Sequence, residues 1–132
     1  MKTVSLLLLS SALLGSVAAC NPFAPDQSVV LDVTKLDAPA TISSGDALTA
    51  TLAVTVNGCE RFDRIELSRD LSGASFTAWG IDLSKGNKDV ACPSIIRSEP
   101  HSYTLHPPYA NPFTLQVQRG RLGPLTTTVQ VQ

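Results

Sequence analysis

Surplus charge is what this sequence has least of: ten basic and eleven acidic side chains leave a formal net charge of -1. There is no basic stripe of the kind nucleic acid requires, so no nucleic-acid partner is expected. Charge also supplies no drive toward anionic lipid. Tryptophan and methionine occur once each and histidine twice. After residue 20 no segment sustains an apolar period of 3.6 residues, which argues against long amphipathic helices. Chemical motifs are equally scarce. No G-x-S-x-G elbow surrounds any serine. The run Asp82 to Asp89 has neither the ligand order of a calcium loop nor that of a phosphate-binding loop. There is no C-x-x-C pair, and no histidine closely flanks a cysteine, so a zinc site is not expected. No catalytic constellation, metal site or cofactor is expected.

What the sequence does have begins at its first residues, MKTVSLLLLSSALLGSVAAC. Lys2 is a positive start, Val4 to Leu14 an uncharged apolar core, and Ser16 to Ala19 a run of small residues. These are the parts of a secretory signal peptide. A membrane-spanning helix is the alternative. The uncharged stretch from Thr3 to Ala19 is at the short limit for crossing the ~30 Å hydrocarbon layer, and Gly15 and Ser16 weaken it further.

Val17-Ala18-Ala19-Cys20 resembles the lipobox of bacterial lipoproteins, a branched aliphatic residue, a small residue, Ala or Gly, then Cys. Val17 stands where Leu is commoner. The resemblance implies a diacylglyceryl group on the Cys20 thiol and cleavage between Ala19 and Cys20. The expected organisation is a signal peptide over 1–19, removed, a lipidated tether over 20–27, and a folded domain over 28–132. Two or more acyl chains anchor stably where one binds marginally, so the membrane becomes an expected partner. The expected location is the cell envelope. It is the outer membrane, facing the periplasm or the cell surface, if the organism has one, and otherwise the outer face of the plasma membrane. Pro22 and Pro25 favour an extended tether that holds the domain close to the lipid.

Once Cys20 is set aside, Cys59 and Cys92 remain, in a compartment that permits disulfides. Bridging them closes a loop worth roughly 3–4 kcal/mol in the chain-entropy description, and this bridge is expected.

Residues 47–56, ALTATLAVTV, alternate with period two: Leu48, Ala50, Leu52, Val54 and Val56 share one face. This is a half-buried strand, bounded by Ser43-Ser44-Gly45-Asp46 and Asn57-Gly58. Further strands are expected around Val29, Leu31 and Val33, around Ile65 and Leu67, over 75–83, at Tyr103 and Leu105, over Phe113 to Val117, and over Leu125 to Val131. In 75–83 the phase is irregular, and Gly80 suggests a bulge. Seven short strands separated by turn residues predict an all-β, antiparallel two-sheet sandwich.

The ending, PPYANPFTLQVQRGRLGPLTTTVQVQ, resembles the last two strands of immunoglobulin-like domains in bacterial surface proteins. It departs from true immunoglobulin domains because Trp79 does not closely follow the first cysteine. The likeness is one of architecture.

Charges and loops complete the reading. In ERFDRIELSRD (60–70) the acids and arginines interleave, as on an exposed strand face; the functional alternative is a charged recognition surface, or paired carboxylates such as Asp63 and Glu66. His101 and His106, five apart, would fall on opposite faces of a strand and could not share a metal. Trp79, Tyr109 and Phe113 could contribute to a binding patch, but aromatic side chains in a small sandwich are expected in the core. The candidate partner-binding loops are the tip at Ser84, Lys85 and Asn87 and the stiff connection at Pro107, Pro108 and Tyr109. The expected protein is a non-enzymatic, lipid-anchored envelope module that binds an envelope protein or glycan. The alternative is an inhibitor of a lysozyme or protease, with one of those loops entering the enzyme cleft.

Overall fold

The computed structural model describes residues 26–120 and 122–132. The expected leader, the lipidation site Cys20, the cleavage boundary at Ala19 and the tether up to residue 25 lie outside the described residues. Within them are nine strands and no helix: β1 (Ser28–Val30), β2 (Asp32–Asp37), β3 (Thr41–Ile42), β4 (Leu48–Asn57), β5 (Glu60–Arg69), β6 (Gly73–Asp82), β7 (Ile96–Leu105), β8 (Phe113–Gln118) and β9 (Leu125–Val131).

The strands form two sheets. The second is β2-β4-β7, antiparallel throughout. The first runs β1-β6-β8-β9-β3, with β5 also on β6. Because β5 pairs along nearly all of β6, the other edge of β6 is shared, β8 beside residues 73–77 and β1 beside 79–81.

The all-β, two-sheet expectation holds, but two details are corrected. The described residues form nine strands where about seven were expected, and the first sheet is mixed. β6 and β8 are parallel, as are β3 and β9. The cause is connectivity: between β6 and β8 the chain crosses to the second sheet as β7 and returns, so β8 enters in the direction of β6. Parallel neighbours need such a long crossover, whereas a tight hairpin gives antiparallel ones.

The extra strands have local causes. Val29, Leu31 and Val33 do alternate, but the chain changes sheets at the buried Leu31, so one expected strand becomes β1 and β2. β3 is only two residues long, too short for any periodicity. β7 is also longer than expected. Its first half, Ile96 to His101, lacks an apolar alternation because it forms a sheet edge, where Pro100 needs no ladder partner for its missing N–H.

The core lies between the sheets. Leu48, Ala50, Leu52, Val54 and Val56 of β4 are completely buried, as the period-two pattern requires. Opposite them stand Ala74, Phe76 and Ala78 of β6 and Phe113, Leu115 and Val117 of β8. Gly80 keeps this inward phase. A Cβ there would lie 2.6 Å from Leu31 Cδ2 and 2.7 Å from the Arg61 carbonyl. The glycine therefore makes room for the side chain at the sheet crossing, and the bulge falls opposite, between Phe62 and Arg64 of β5.

The sandwich has two distinct ends. One, the disulfide end, carries the first described residues, the β4–β5 turn and the segment 83–95. The expected bridge is present: Cys59 and Cys92 are bonded, with Cα atoms 5.1 Å apart. The opposite end carries 43–47, the β5–β6 turn and 106–112.

Candidate functional site

A cleft of about 970 Å³ lies beside the disulfide end, against the outer face of the first sheet. Its position follows from the phase of β6. Ala74, Phe76, Ala78 and Gly80 point inward, so Trp79 points outward. Val30 of β1 and Arg64 of β5 are its register neighbours. The Arg64 guanidinium lies 5.5 Å above the indole, a cation–π arrangement. The indole Nε1 is buried and has no hydrogen-bond partner. The expectation that Trp79 belongs to the core is corrected. The signal in the sequence was its irregular phase, which puts the one tryptophan on the outer register.

Around Trp79 the cleft is polar. Asp26, Asp32, Glu60 and Asp82 bring carboxylates; Arg64 and Lys85 bring cations. Most of these groups are held. The Ser28 backbone N–H donates to Asp26 Oδ1 at 2.9 Å. That bond, with the Ser28 hydroxyl, keeps the Asp26 carboxyl below its ordinary range. Glu60 Oε2 accepts from the Asn57 backbone N–H at 3.0 Å, while Asn57 Oδ1 accepts from Cys59 and Glu60 N–H and closes the β4–β5 turn. Asp82 Oδ1 takes both the backbone N–H and the hydroxyl of Ser84. Lys85 Nζ donates to the Ser28 carbonyl at 2.8 Å. Such a cleft, one aromatic among fixed donors and acceptors, suits a neutral or zwitterionic ligand rich in hydroxyls better than an apolar one.

The two candidate loops lie at opposite ends and form no common surface. Ser84, Lys85 and Asn87 build the tip at the disulfide end. The Asn87 N–H donates to the Ser84 carbonyl at 3.1 Å, and Gly86 supplies the positive φ of 74° that the turn needs. Of the three, Lys85 lines the cleft.

Pro107, Pro108 and Tyr109 sit at the opposite end. Arg69 donates to the carbonyls of His106 (2.6 Å) and Pro108 (2.5 Å). Its guanidinium also lies 5.4 Å from the Tyr109 ring centroid and 5.3 Å from that of Phe113. The Tyr109 hydroxyl lies 2.9 Å from the Asp46 carbonyl and 3.0 Å from that of Leu105, sharing its proton between them. Burial pushes the Tyr109 phenol above its ordinary value. Phe113 is fully buried, and the Tyr109 ring meets it edge-on. Sequence reasoning missed Arg69, whose partners lie at 106 and 108 and leave no local signature.

Arg64 bridges Asp63 at 2.6 Å and Glu66 at 3.9 Å, while Glu60 and Arg69 of the same strand are held by backbone groups instead. His101 points into the seam between the sheets. It stacks on Phe62 with centroids 3.6 Å apart, and its Nε2 is 3.3 Å from Glu99 Oε2. His106 is exposed in the loop after β7. Among the described residues no three His, Cys, Asp or Glu side chains converge as metal ligands would. Neither a family model, a curated protein nor a solved structure matches this chain.

Proposed function

We propose that this chain is a non-enzymatic, lipid-anchored cell-envelope protein whose sandwich binds an envelope glycan through the Trp79 cleft. The anchor is the diacylglyceryl group on the Cys20 thiol, and cleavage after Ala19 then leaves Cys20 as the N-terminus. The cleft carries the ligand half of the reading. It combines the one tryptophan, an unpartnered indole N–H beneath Arg64, and a ring of fixed carboxylates and cations. A hydroxyl-rich chain can stack on the indole face once Arg64 swings aside, and exchange hydrogen bonds with the surrounding charged groups. Placement in the outer membrane, or on the outer face of the plasma membrane, puts such polymers within reach.

Crosslinking and pull-down from the native envelope test this. The wild-type chain should capture glycan, and Trp79→Phe and Arg64→Gln should capture several-fold less. Capture of one protein, lost in the same variants, would move the partner from glycan to protein. Capture that both variants leave unchanged would dismiss the cleft.

A second reading, inhibition of a hydrolase, is favoured by one observation: the Arg69 clamp holds the loop 106–112 rigid before any partner arrives. A preorganised loop loses little freedom on binding. Inhibition of lysozymes or proteases by the wild-type chain, weakened by Arg69→Ala, would support it; no inhibition across both enzyme classes would remove it.

A further inference from the structure

The large apolar side chains that stand in water are unevenly distributed. Ile96 is 78% exposed, Ile95 54% and Leu83 43%, and all three belong to the disulfide end. At the opposite end Leu71 is alone at 56%, and Leu122, 52% exposed, stands apart in the connection between β8 and β9. An apolar cluster on one face marks a contact surface, whereas single exposed residues need no explanation.

The cluster lies beside the point where the chain enters the domain. The Gln27 carbonyl accepts from the Asp82 N–H at 2.9 Å, and the Leu83 N–H donates to the Cys59 carbonyl at 3.0 Å. The Gln27 side chain donates to the Leu83 carbonyl at 3.3 Å. Cys59 is bonded to Cys92, and Ile96 pairs with Asn57. A short path of contacts thus joins the first described residues to Leu83, the disulfide and the isoleucines. Six residue steps separate Cys20 from Asp26, a reach of at most about 20 Å. A lipid on Cys20 therefore keeps this end of the sandwich within about 20 Å of the bilayer surface.

We infer that the disulfide end is itself a lipid-contacting surface, with Ile95 and Ile96 seated in the interfacial layer and Leu83 beside them. This rests on the lipid-anchor reading and adds to it: the acyl chains hold the protein on the membrane, and the isoleucines fix its orientation. Charge is not the cause. The tip carries Lys85 and Lys88 beside Asp82 and Asp89, and Arg97 next to Ile96 pairs with Glu99 at 3.6 Å, so cations here alternate with acids and form no uniform basic patch for anionic headgroups. The contact grows with buried apolar area and is insensitive to salt. It holds the Trp79 cleft close above the lipid and points 106–112 into the solvent.

The test is amide hydrogen exchange on the full acylated chain in phosphatidylcholine vesicles, compared with Cys20→Ser in solution. Intact mass on the same sample reports the acyl group. Residues 91–97 should exchange about fivefold more slowly, or slower still, on vesicles. Residues 70–72 and 109–111 should be unchanged, and raised salt should not reverse the difference. Ile95→Ser with Ile96→Ser should abolish the slowing while the chain stays acylated; both side chains are exposed, so the fold is spared. An acylated chain with equal exchange on vesicles and in solution would overturn the inference and leave the anchor standing. A chain whose mass shows no acyl group would remove the anchor and the inference with it.

Discussion

At the opposite end of the sandwich, the loop 106–112 is closed by side chains: Arg69 holds two carbonyls and covers two rings, and Tyr109 reaches across to Asp46. At the disulfide end, closure is covalent, and the side chains left over are exposed isoleucines and a leucine. Both ends must order a long connection between the sheets. The polar solution uses up its own groups and presents a finished surface. At the disulfide end the tip at 82–89 is also held by hydrogen bonds, but past Cys92 the side chains of 93–96 make none, which leaves them free to carry apolar groups outward.

Removing the bond should have the largest effect. Cys59→Ala with Cys92→Ala should lower unfolding stability by about 3–4 kcal/mol, read as a shifted denaturant midpoint. The loss should appear at the disulfide end, with 106–112 keeping its protection from exchange. Gly58→Ala attacks the same end sterically. A Cβ there would sit 2.1 Å from the Pro93 carbonyl oxygen, so the turn and the disulfide segment must part, costing about 2 kcal/mol.

The other half of the comparison breaks at Arg69. Arg69→Ala should cost about 1.5 kcal/mol through two charge-assisted hydrogen bonds and the packing of the guanidinium stem. Exchange should rise over 106–112 and stay level over 91–97. Tyr109→Phe is milder, about 1 kcal/mol, and carries a pH signature. Burial keeps the phenol neutral in the folded chain, so its pKa is raised there. That contribution is intact below the ordinary phenol range near pH 10. Above it the unfolded chain ionises first and stability falls with rising pH. Tyr109→Phe should flatten this alkaline slope; an unchanged slope would mean that Tyr109 is not its source.

The legible parts of this fold were those with a local signature. The alternation of 47–56 gave β4 and its buried face because side-chain direction in a strand depends only on sequence parity. The even pair Cys59 and Cys92 gave the bridge once Cys20 was set aside. The sheet switch at Leu31 was hidden because both strands keep the same inward phase across it. The parallel pairing of β6 with β8 depends on which sheet β7 joins, and no local pattern encodes that. In the site, the interleaved charges of 60–70 were readable from spacing alone. The outward Trp79 was signalled only by a broken phase, and Arg69 not at all, because its partners are distant in sequence.

The central claim is that this domain is held at a membrane by a lipid on Cys20, and intact mass spectrometry of the protein extracted from native membranes tests it most directly. The predicted result is a chain beginning at Cys20 and carrying the added mass of a diacylglyceryl group, with Cys20→Ser no longer extracted from the membrane fraction. A chain that retains residues 1–19 with an unmodified Cys20 would contradict it.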